Sequence, residues 1–471
     1  MKIKGIKIKG ITANSKQVKK DFVFVAIKGN KQDGSVFIKD AVARGASVIV
    51  VEQSKTKFEI PKKIKLIKVK DCRQFLGQQV SKFYKFPADK IKCIGITGTN
   101  GKTTIAYLIE AIVKQTGLAC GVIGTINYRF KAKIKIAKNT TPGAVELQSL
   151  LAKMYAGKVK YCALEVSSHA LDQDRVAGVN FKTAIFTNLT QDHLDYHKSL
   201  EKYFLAKLKL FKSLSANSVA IINNDDKYCV RIKAKTSAKI ITYGIKKSAI
   251  VMAKDINFGI NFSEFTLVGP KIKIRIRTTL VGLHNIYNIL AAIAWGISEK
   301  KNLKDIKSAI EKFKNVPGRL ERINCRTGLN IFVDYAHTPD ALFNVICALR
   351  PLVRGRIIVV FGCGGQRDKL KRPKMGKIVT ELADYAIITN DNPRSENPQK
   401  IIEDIRAGIK KSNYCLKLDR LEAIRTGLSM MNQDDCLLIA GKGHENYQIL
   451  KNKVLRFSDQ EVIKKCLKLM K

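Results

Sequence analysis

Acidic residues are scarce in this chain: 39 Asp and Glu stand against 86 Lys and Arg, a formal net charge of +47. That excess is far above the roughly +2 to +8 usual for a small domain and points to anionic ligands. Nucleic acid is one candidate polyanion. The lysines, however, are spread through every segment, with no compact basic tail, no interleaving of aromatic and basic residues and no reading module, so only weak, salt-sensitive attraction and no specific nucleic-acid partner is expected. Long apolar runs are also missing. None approaches the roughly 18 residues a membrane helix needs, and the start Met1-Lys2-Ile3-Lys4 alternates charge and apolarity without leading into a signal core. No transmembrane segment and a cytoplasmic location are therefore expected. CxxC pairs are absent, and the eleven cysteines lie singly, mostly in apolar settings such as Cys93, Cys162 and Cys436, which reads as reduced packing residues and not as a disulfide framework or thiol nucleophile. Internal repeats and low-complexity tracts are lacking too.

What is present is a long chain of β-branched strands alternating with helical patterns. At 471 residues it exceeds one ordinary core, and three α/β units are expected, over 1–87, 88–315 and 316–471. In the first, Phe22–Ile27 and Val48–Val51 read as strands around a helical pattern over Val36–Gly45, with polar turns at Asn14-Ser15-Lys16 and Asn30-Lys31-Gln32-Asp33-Gly34. In the second, Tyr161–Val166, Ala184–Phe186, Val219–Ile222 and Ile240–Tyr243 predict a mostly parallel sheet covered on both faces, Phe262–Val268 and Ile272–Thr278 predict an edge hairpin, and Leu290–Trp295 belongs to an apolar helix. In the third, Ile331–Val333, Ile357–Phe361, Ala386–Thr389 and Cys436–Ala440 each run into a polar or glycine-rich loop, where sites of open α/β sheets gather.

The chain is organised around Lys92–Lys114. A short buried strand, Cys93–Thr97, runs into Gly98-Thr99-Asn100-Gly101-Lys102-Thr103-Thr104, and a helical pattern begins at once. Glycines let successive backbone N–H groups converge on an anion, the helix N-terminus adds partial positive charge, Lys102 neutralises phosphate and the Thr103 hydroxyl can ligate Mg²⁺. The usual first glycine would fall at Ile96, so this is a variant phosphate loop.

Glu165-Val166-Ser167-Ser168-His169 follows the next strand. A carboxylate there can bind Mg²⁺ beside nucleotide phosphates, or serve simply as a strand-end Glu. Asn188–His197 concentrates amide and ionisable groups, and His169, His193, His197 and His284 are four of only six histidines. Phosphate or Mg²⁺ contact and ordinary loop hydrogen bonding both fit them, while the spacing lacks a zinc pattern. Asp334-Tyr335-Ala336-His337 is a polar loop after a buried strand, open to a structural Asp–His pair or a site. Tyr203–Phe211 is an amphipathic helix on which Lys207, by periodicity alone, is a solvated residue.

Taken together, Gly98–Thr104, Asn139-Thr140-Thr141-Pro142, Glu165–His169, Asn188–His197, Gly282–Asn288, Asp334–Ala341, Asp391-Asn392-Pro393-Arg394 and Gly441-Lys442-Gly443-His444-Glu445 resemble, in order and over nearly the whole chain, the Mur ligase family. The resemblance is to the branch that adds the third peptide residue to a UDP-linked cell-wall precursor. It implies a three-domain architecture with a central P-loop ATPase, ATP and Mg²⁺ as cofactors, UDP-N-acetylmuramoyl-L-alanyl-D-glutamate and meso-2,6-diaminopimelate as substrates, and a monomer. By the same resemblance, Ser15 and the Asn30–Gly34 loop face the uridine nucleotide, and Thr140, Thr141, Ser167 and Arg175 hold the muramyl dipeptide. The loop residues Gly98, Thr99, Asn100, Gly101, Lys102, Thr103 and Thr104, with His284, Asn285, Asn288, Arg319, Asp334 and His337, bind ATP. Thr103, Glu165, His193 and Lys207 hold metal, Lys207 as a carbamylated N6-carboxylysine, and Lys102 joins the last three in catalysis. Arg367, Asp391, Asn392, Arg394, Gly441 and Glu445 surround the amino acid, Arg394 fitting the distal carboxylate that lysine lacks. Three departures stand out. Asn14-Ser15-Lys16 replaces Asp-Ser-Arg, Lys20 replaces a glycine before Asp21, and Gln366 replaces an Asp beside Arg367; the last is expected to loosen Arg367.

Overall fold

The apolar runs build three sheets in succession. The computed structural model describes residues 1–3, 5–29, 32–53, 60–325, 328–451 and 453–469. In the amino-terminal unit Gly10–Thr12, Phe22–Val25, Ala46–Glu52 and Lys65–Val69 pair in that order, all parallel. Successive residues point to opposite faces, so Val23, Val25, Val48 and Val50 enter one core, and Phe24, Ile49 and Val51 the other. The helix Cys72–Phe83, capped by Asp71, seats this unit on the next. A Cβ on Gly77 would lie 2.6 Å from the Cβ of Ala177, so only glycine allows that approach.

The central sheet has eleven strands. Its middle runs Cys120–Ile123, Tyr161–Glu165, Lys92–Thr97, Phe181–Phe186, Val219–Asn223, Lys239–Gly244 and Val251–Gly259, all parallel, and the predicted Phe262–Gly269/Ile272–Thr278 hairpin forms one antiparallel edge. Ile94, Ile96, Ala163, Ile185 and Ile221 pack under the helices Lys102–Gln115 and Leu283–Ser298, the latter buried almost all round, while Cys93, Cys162, Leu164, Ala184 and Phe186 face Ala144–Ala156 and Leu200–Lys212. Strand order fixes which loops can share a site. The strand leading into the phosphate loop lies between Tyr161–Glu165 and Phe181–Phe186, so both loops after those neighbours open beside it.

The carboxy-terminal sheet has six strands, and Asn330–Asp334, Cys436–Ala440, Ile357–Phe361, Tyr385–Ile388 and Tyr414–Leu416 are parallel. Eight of the eleven cysteines, including Cys93, Cys162 and Cys436, are buried. Among the described residues no helix is long and apolar enough to cross a membrane.

Candidate active site

The phosphate loop is locked by its neighbours. Gly98 and Gly101 hold φ of +151° and +90°. A Cβ on Gly98 would fall 1.8 Å from Thr187 Oγ1, and one on Gly101 2.3 Å from Asn288 Oδ1, so both glycines are sterically required. Thr99 N–H donates to Asn188 O (2.9 Å), Asn100 N–H to Asn188 Oδ1 (3.0 Å), and Thr187 Oγ1 to Asn100 O (2.6 Å). The helix after Gly101 starts at Lys102 without a side-chain cap, leaving its first N–H groups available to an anion. Lys102 Nζ curls back onto Gly98 O (2.9 Å) and Thr99 O (2.8 Å), and burial holds its pKa below the ordinary lysine value. Thr104 is buried in the first turn.

Glu165 sits where the register predicts. Its Oε2 accepts from Thr103 Oγ1 (3.0 Å) and Thr125 Oγ1 (2.9 Å), and its Oε1 from Thr125 N (2.9 Å). Thr125 is a site neighbour that the sequence reading missed; the Gly124-Thr125 pair after the Cys120–Ile123 strand was its signal, since a Cβ on Gly124 would lie 2.1 Å from Glu165 Oε1. From there the expected precursor residues follow in a chain. Thr125 Oγ1 meets Thr140 Oγ1 (3.2 Å), Thr141 Oγ1 donates to Glu165 O (2.8 Å) and accepts from Ser167 N (3.0 Å), and Arg175 donates to Thr141 O (3.0 Å) and Gln173 Oε1 (2.8 Å).

Lys207 corrects the periodicity reading. The helix Leu200–Lys212 buries a wide face, and Lys207 on it is 2% exposed. Its Nζ lies 2.8 Å from Gly98 O and 4.4 Å from the Tyr203 ring centre. An ammonium removed from water costs several kcal/mol unless a counter-charge is at hand, and burial, reinforced by Lys102, pushes Lys207 well below the usual lysine pKa. It is thus driven toward a neutral amine, the form that can add carbon dioxide.

The histidines only partly cluster. His169, His193 and His197 form one group, with ring centres 4.8 Å apart for His169–His193 and 5.5 Å for His169–His197. His193 has a φ of +55° and pairs with Asp192 (3.4 Å); burial lowers its pKa to about 3. His197 Nε2 meets Ser168 Oγ at 2.9 Å, a structural bond. His284 is elsewhere, in the first turn of Leu283–Ser298. On that helix Asn288 donates to Asn285 Oδ1 (3.2 Å) and Asn285 to Val281 O (2.9 Å), placing Asn288 behind Gly101. Among the described residues no set of three or more His, Cys, Asp or Glu is arranged to hold a metal by itself. Thr103 Oγ1 and Glu165 Oε2 nonetheless place two oxygens, the donor type Mg²⁺ prefers, beside the loop.

The carboxy-terminal unit closes onto this loop. Arg319 reaches Thr103 Oγ1 (3.1 Å), and Asn100 donates to Asp340 Oδ2 (2.7 Å). Asp334 spends its carboxylate on backbone N–H groups of Leu320 and Ala336 (2.6 Å), while His337 Nδ1 meets Tyr335 O (2.7 Å). No Asp334–His337 pair forms; Asp334 instead shapes the turn that presents Arg319.

The loops after Ile357–Phe361, Tyr385–Ile388 and Cys436–Ala440 converge on a charged pocket. Arg394, at φ +55°, donates to Gly365 O (2.8 Å) and Asn392 O (3.3 Å), and Arg367 to Gln366 O (3.3 Å). Among the described residues neither guanidinium has a carboxylate partner. Burial and Arg367 together hold Arg394 below the usual arginine pKa, with Asp391 and Glu445 opposing. Glu445 accepts from Asn392 Nδ2 (2.8 Å), and a Cβ on Gly441 would lie 2.8 Å from Asp391 Oδ2. The Gln366 side chain donates to Ser395 Oγ (2.7 Å), and its backbone carbonyl accepts from Arg367 (3.3 Å). Buried Arg372, another residue missed in the sequence, ties Glu396 (2.9 Å) to Asp404 (2.8 Å), and Glu396 accepts from Gln366 N–H, so the two arginine-bearing loops are clamped.

In the amino-terminal unit Ser15 is buried in a short turn capped by Asn14. The left-handed residue is Asp21 (φ +67°), not Lys20, which explains why lysine is tolerated there. Asn30 and Lys31 lie outside the described residues; Asp33 caps the following turn through Ser35 N–H (2.9 Å).

A phosphate loop, a facing carboxylate and a second domain carrying an amino-acid-like pocket define an ATP-using ligase architecture, and family models agree. The Mur ligase middle domain matches residues 96–296, the Mur ligase glutamate ligase domain 318–443, and the Mur ligase family catalytic domain 7–84. The chain belongs to the Mur ligase family. The particular relatives are UDP-N-acetylmuramoyl-L-alanyl-D-glutamate–2,6-diaminopimelate ligases: that of Clostridium tetani is 45% identical over 465 residues, covering 98% of this chain and 95% of that protein, and that of Clostridium botulinum is 45% identical over 464 residues with the same coverage. A solved structure of a ligase of the same name superposes with a TM-score of 0.70 at 31% identity, covering 98% of this chain and 95% of that one.

Proposed function

We propose that the protein is the ATP-dependent ligase that joins meso-2,6-diaminopimelate to UDP-N-acetylmuramoyl-L-alanyl-D-glutamate in peptidoglycan precursor synthesis. The observation that carries the choice of amino acid is the pair Arg367 and Arg394, two guanidiniums that donate to backbone carbonyls, beside the Glu445 carboxylate. A planar fork suits a second carboxylate, and diaminopimelate has one where lysine has none.

The γ-carboxylate of the D-glutamyl residue attacks the γ-phosphorus of ATP, the bond to the β-phosphate oxygen breaks, and ADP leaves behind an acyl phosphate. Lys102, released from Gly98 O and Thr99 O, offsets charge on the transferring group, and the uncapped N–H groups after Gly101 orient the phosphates. Mg²⁺, which Thr103, Glu165, His193 and carbamylated Lys207 would hold, neutralises phosphate charge when bound. Glu445 receives one ammonium of the amino acid and Arg394 its distal carboxylate, so the other amine, as the free base, meets the acyl carbon. Collapse of the tetrahedral adduct forms the amide and expels phosphate. Arg319 and Asp340, reaching across from the carboxy-terminal unit, favour closure that keeps water from the acyl phosphate. In this reading residues 1–87 hold UDP through Ser15, 88–315 hold ATP, 316–471 hold the amino acid, and the enzyme works as a cytoplasmic monomer.

Turnover with the UDP-dipeptide, ATP and Mg²⁺, varying only the amino acid and weighing the product by mass spectrometry, tests this. The diaminopimelate adduct should dominate. A product formed with lysine alone would overturn the acceptor, and no coupled product with any diamino acid would overturn the reaction.

A further inference from the structure

Lys442 has no part in the chemistry above, yet its side chain is 0% exposed. A lysine ammonium wholly out of water is costly unless charge and hydrogen bonds compensate it. Its Nζ lies 3.1 Å from Glu445 Oε2, 3.4 Å from Asn392 Oδ1 and 5.5 Å from the centre of the Tyr447 ring. The same Glu445 Oε2 accepts from Asn392 Nδ2 at 2.8 Å, and Ile449 N–H donates to Asn392 Oδ1 at 2.9 Å, so one face of the glutamate is fully engaged. Among the described residues its other oxygen, Oε1, meets only the Tyr335 hydroxyl at 3.4 Å, at the outer limit of a hydrogen bond.

The charged surroundings make Lys442 necessary. Asp391 is a second carboxylate acting on Glu445, and a like charge opposes ionisation of Glu445. Arg394, Arg420, Tyr335 and Tyr447 also face this cluster. Arg420 is committed to Asp459, with both side chains 0% exposed, and Arg394 to backbone carbonyls. Among the described residues, Lys442 is the cation in direct contact with Glu445.

We propose that Lys442 is a positioning residue for the acceptor amino acid, keeping Glu445 ionised with Oε1 turned to the incoming ammonium while steadying the Asn392 carboxamide. This rests on the ligase reading of the same pocket. Burial and Asp391 raise the Glu445 pKa, and Lys442 and Asn392 oppose them. Without Lys442 the raising influences are left less opposed. Glu445 then takes up a proton nearer neutrality, and a neutral carboxyl no longer attracts an ammonium, so acceptor binding weakens as pH falls.

The test is steady-state kinetics of Lys442→Met from pH 6.5 to 8.5 beside the unaltered enzyme. The KM for diaminopimelate should rise about tenfold at pH 8.5 and about a further tenfold at pH 6.5, one pKa unit being a factor of ten. The KM values for ATP and the UDP-dipeptide should stay within about twofold. In the double variant Lys442→Met/Glu445→Gln the KM should be high and flat with pH. A Lys442→Met profile parallel to that of the unaltered enzyme, or a loss confined to kcat, overturns the proposal. Should that variant not fold, Lys442→Gln with calorimetric titration of diaminopimelate onto the ADP-loaded protein decides by the same pH criterion. Failure of the unaltered enzyme to use diaminopimelate is seen separately and overturns the ligase reading itself.

Discussion

The phosphate loop and the acceptor pocket solve opposite problems. Around Gly98–Lys102 the loop is shaped before any ligand arrives: Thr187 and Asn188 pin the backbone, and Lys102 is folded onto its own loop, while the first N–H groups of the helix stay uncapped. In the acceptor pocket Arg367 and Arg394 lie near one another with, among the described residues, carbonyl partners only, held by the Arg372–Glu396 clamp. The first site is built of backbone geometry, suited under the proposed function to the phosphates common to all nucleotides. The second gathers two guanidiniums, which under that proposal await the acceptor's carboxylate, a way for a shared scaffold to acquire specificity.

The largest effect expected from breaking this contrast is on the loop side. Lys102→Ala should lower ATP-dependent acyl-phosphate formation by about 10³-fold or more, read as phosphate release in the presence of the UDP-dipeptide; near-normal release would remove its phosphate role. Next comes Lys207→Ala, expected to lose about 10²-fold or more in kcat and to recover with an added short carboxylate. Full activity without rescue would show that the buried amine is only packing.

On the pocket side the loss should be selective. Arg394→Ala gives up about two charge-assisted hydrogen bonds, so kcat/KM for diaminopimelate should fall by about 10²-fold while the KM for ATP is unchanged. An unaltered preference over lysine would break the comparison outright. Smallest is a pH effect on stability. Burial lowers His284 and His337 to about 4 from an ordinary 6.5. The unfolded chain therefore binds more protons between those values, and stability is full above about 6.5 and lost as pH falls toward about 4. Thermal denaturation should show Tm lower by a few degrees at pH 4.5 than at 7.5, with a smaller difference in His284→Gln.

How much of this was legible beforehand differs by region. Short continuous apolar runs such as Cys93–Thr97 and Ile357–Phe361 identify buried strands, and Gly98–Thr104 declares a phosphate loop, because those signals are local. Lys207 was misleading for the same reason: its neighbours in sequence form an amphipathic stripe, and only the packing of Leu200–Lys212 against the loop strand's sheet buries it. Thr125 and Arg372 carried no readable signal beyond the Gly124 beside Thr125, since their partners Glu165 and Glu396 are distant along the chain, and Lys442 was legible only as a member of the Gly441–Glu445 motif.

By itself the sequence determined the alternation of strands and helices, the phosphate loop and the family's ordered motifs, all properties of residues within a few positions of one another. The tertiary structure decided which loops meet, which lysines lose their water and which arginines lack a carboxylate, because desolvation and charge pairing depend on distance in space and not on separation along the chain.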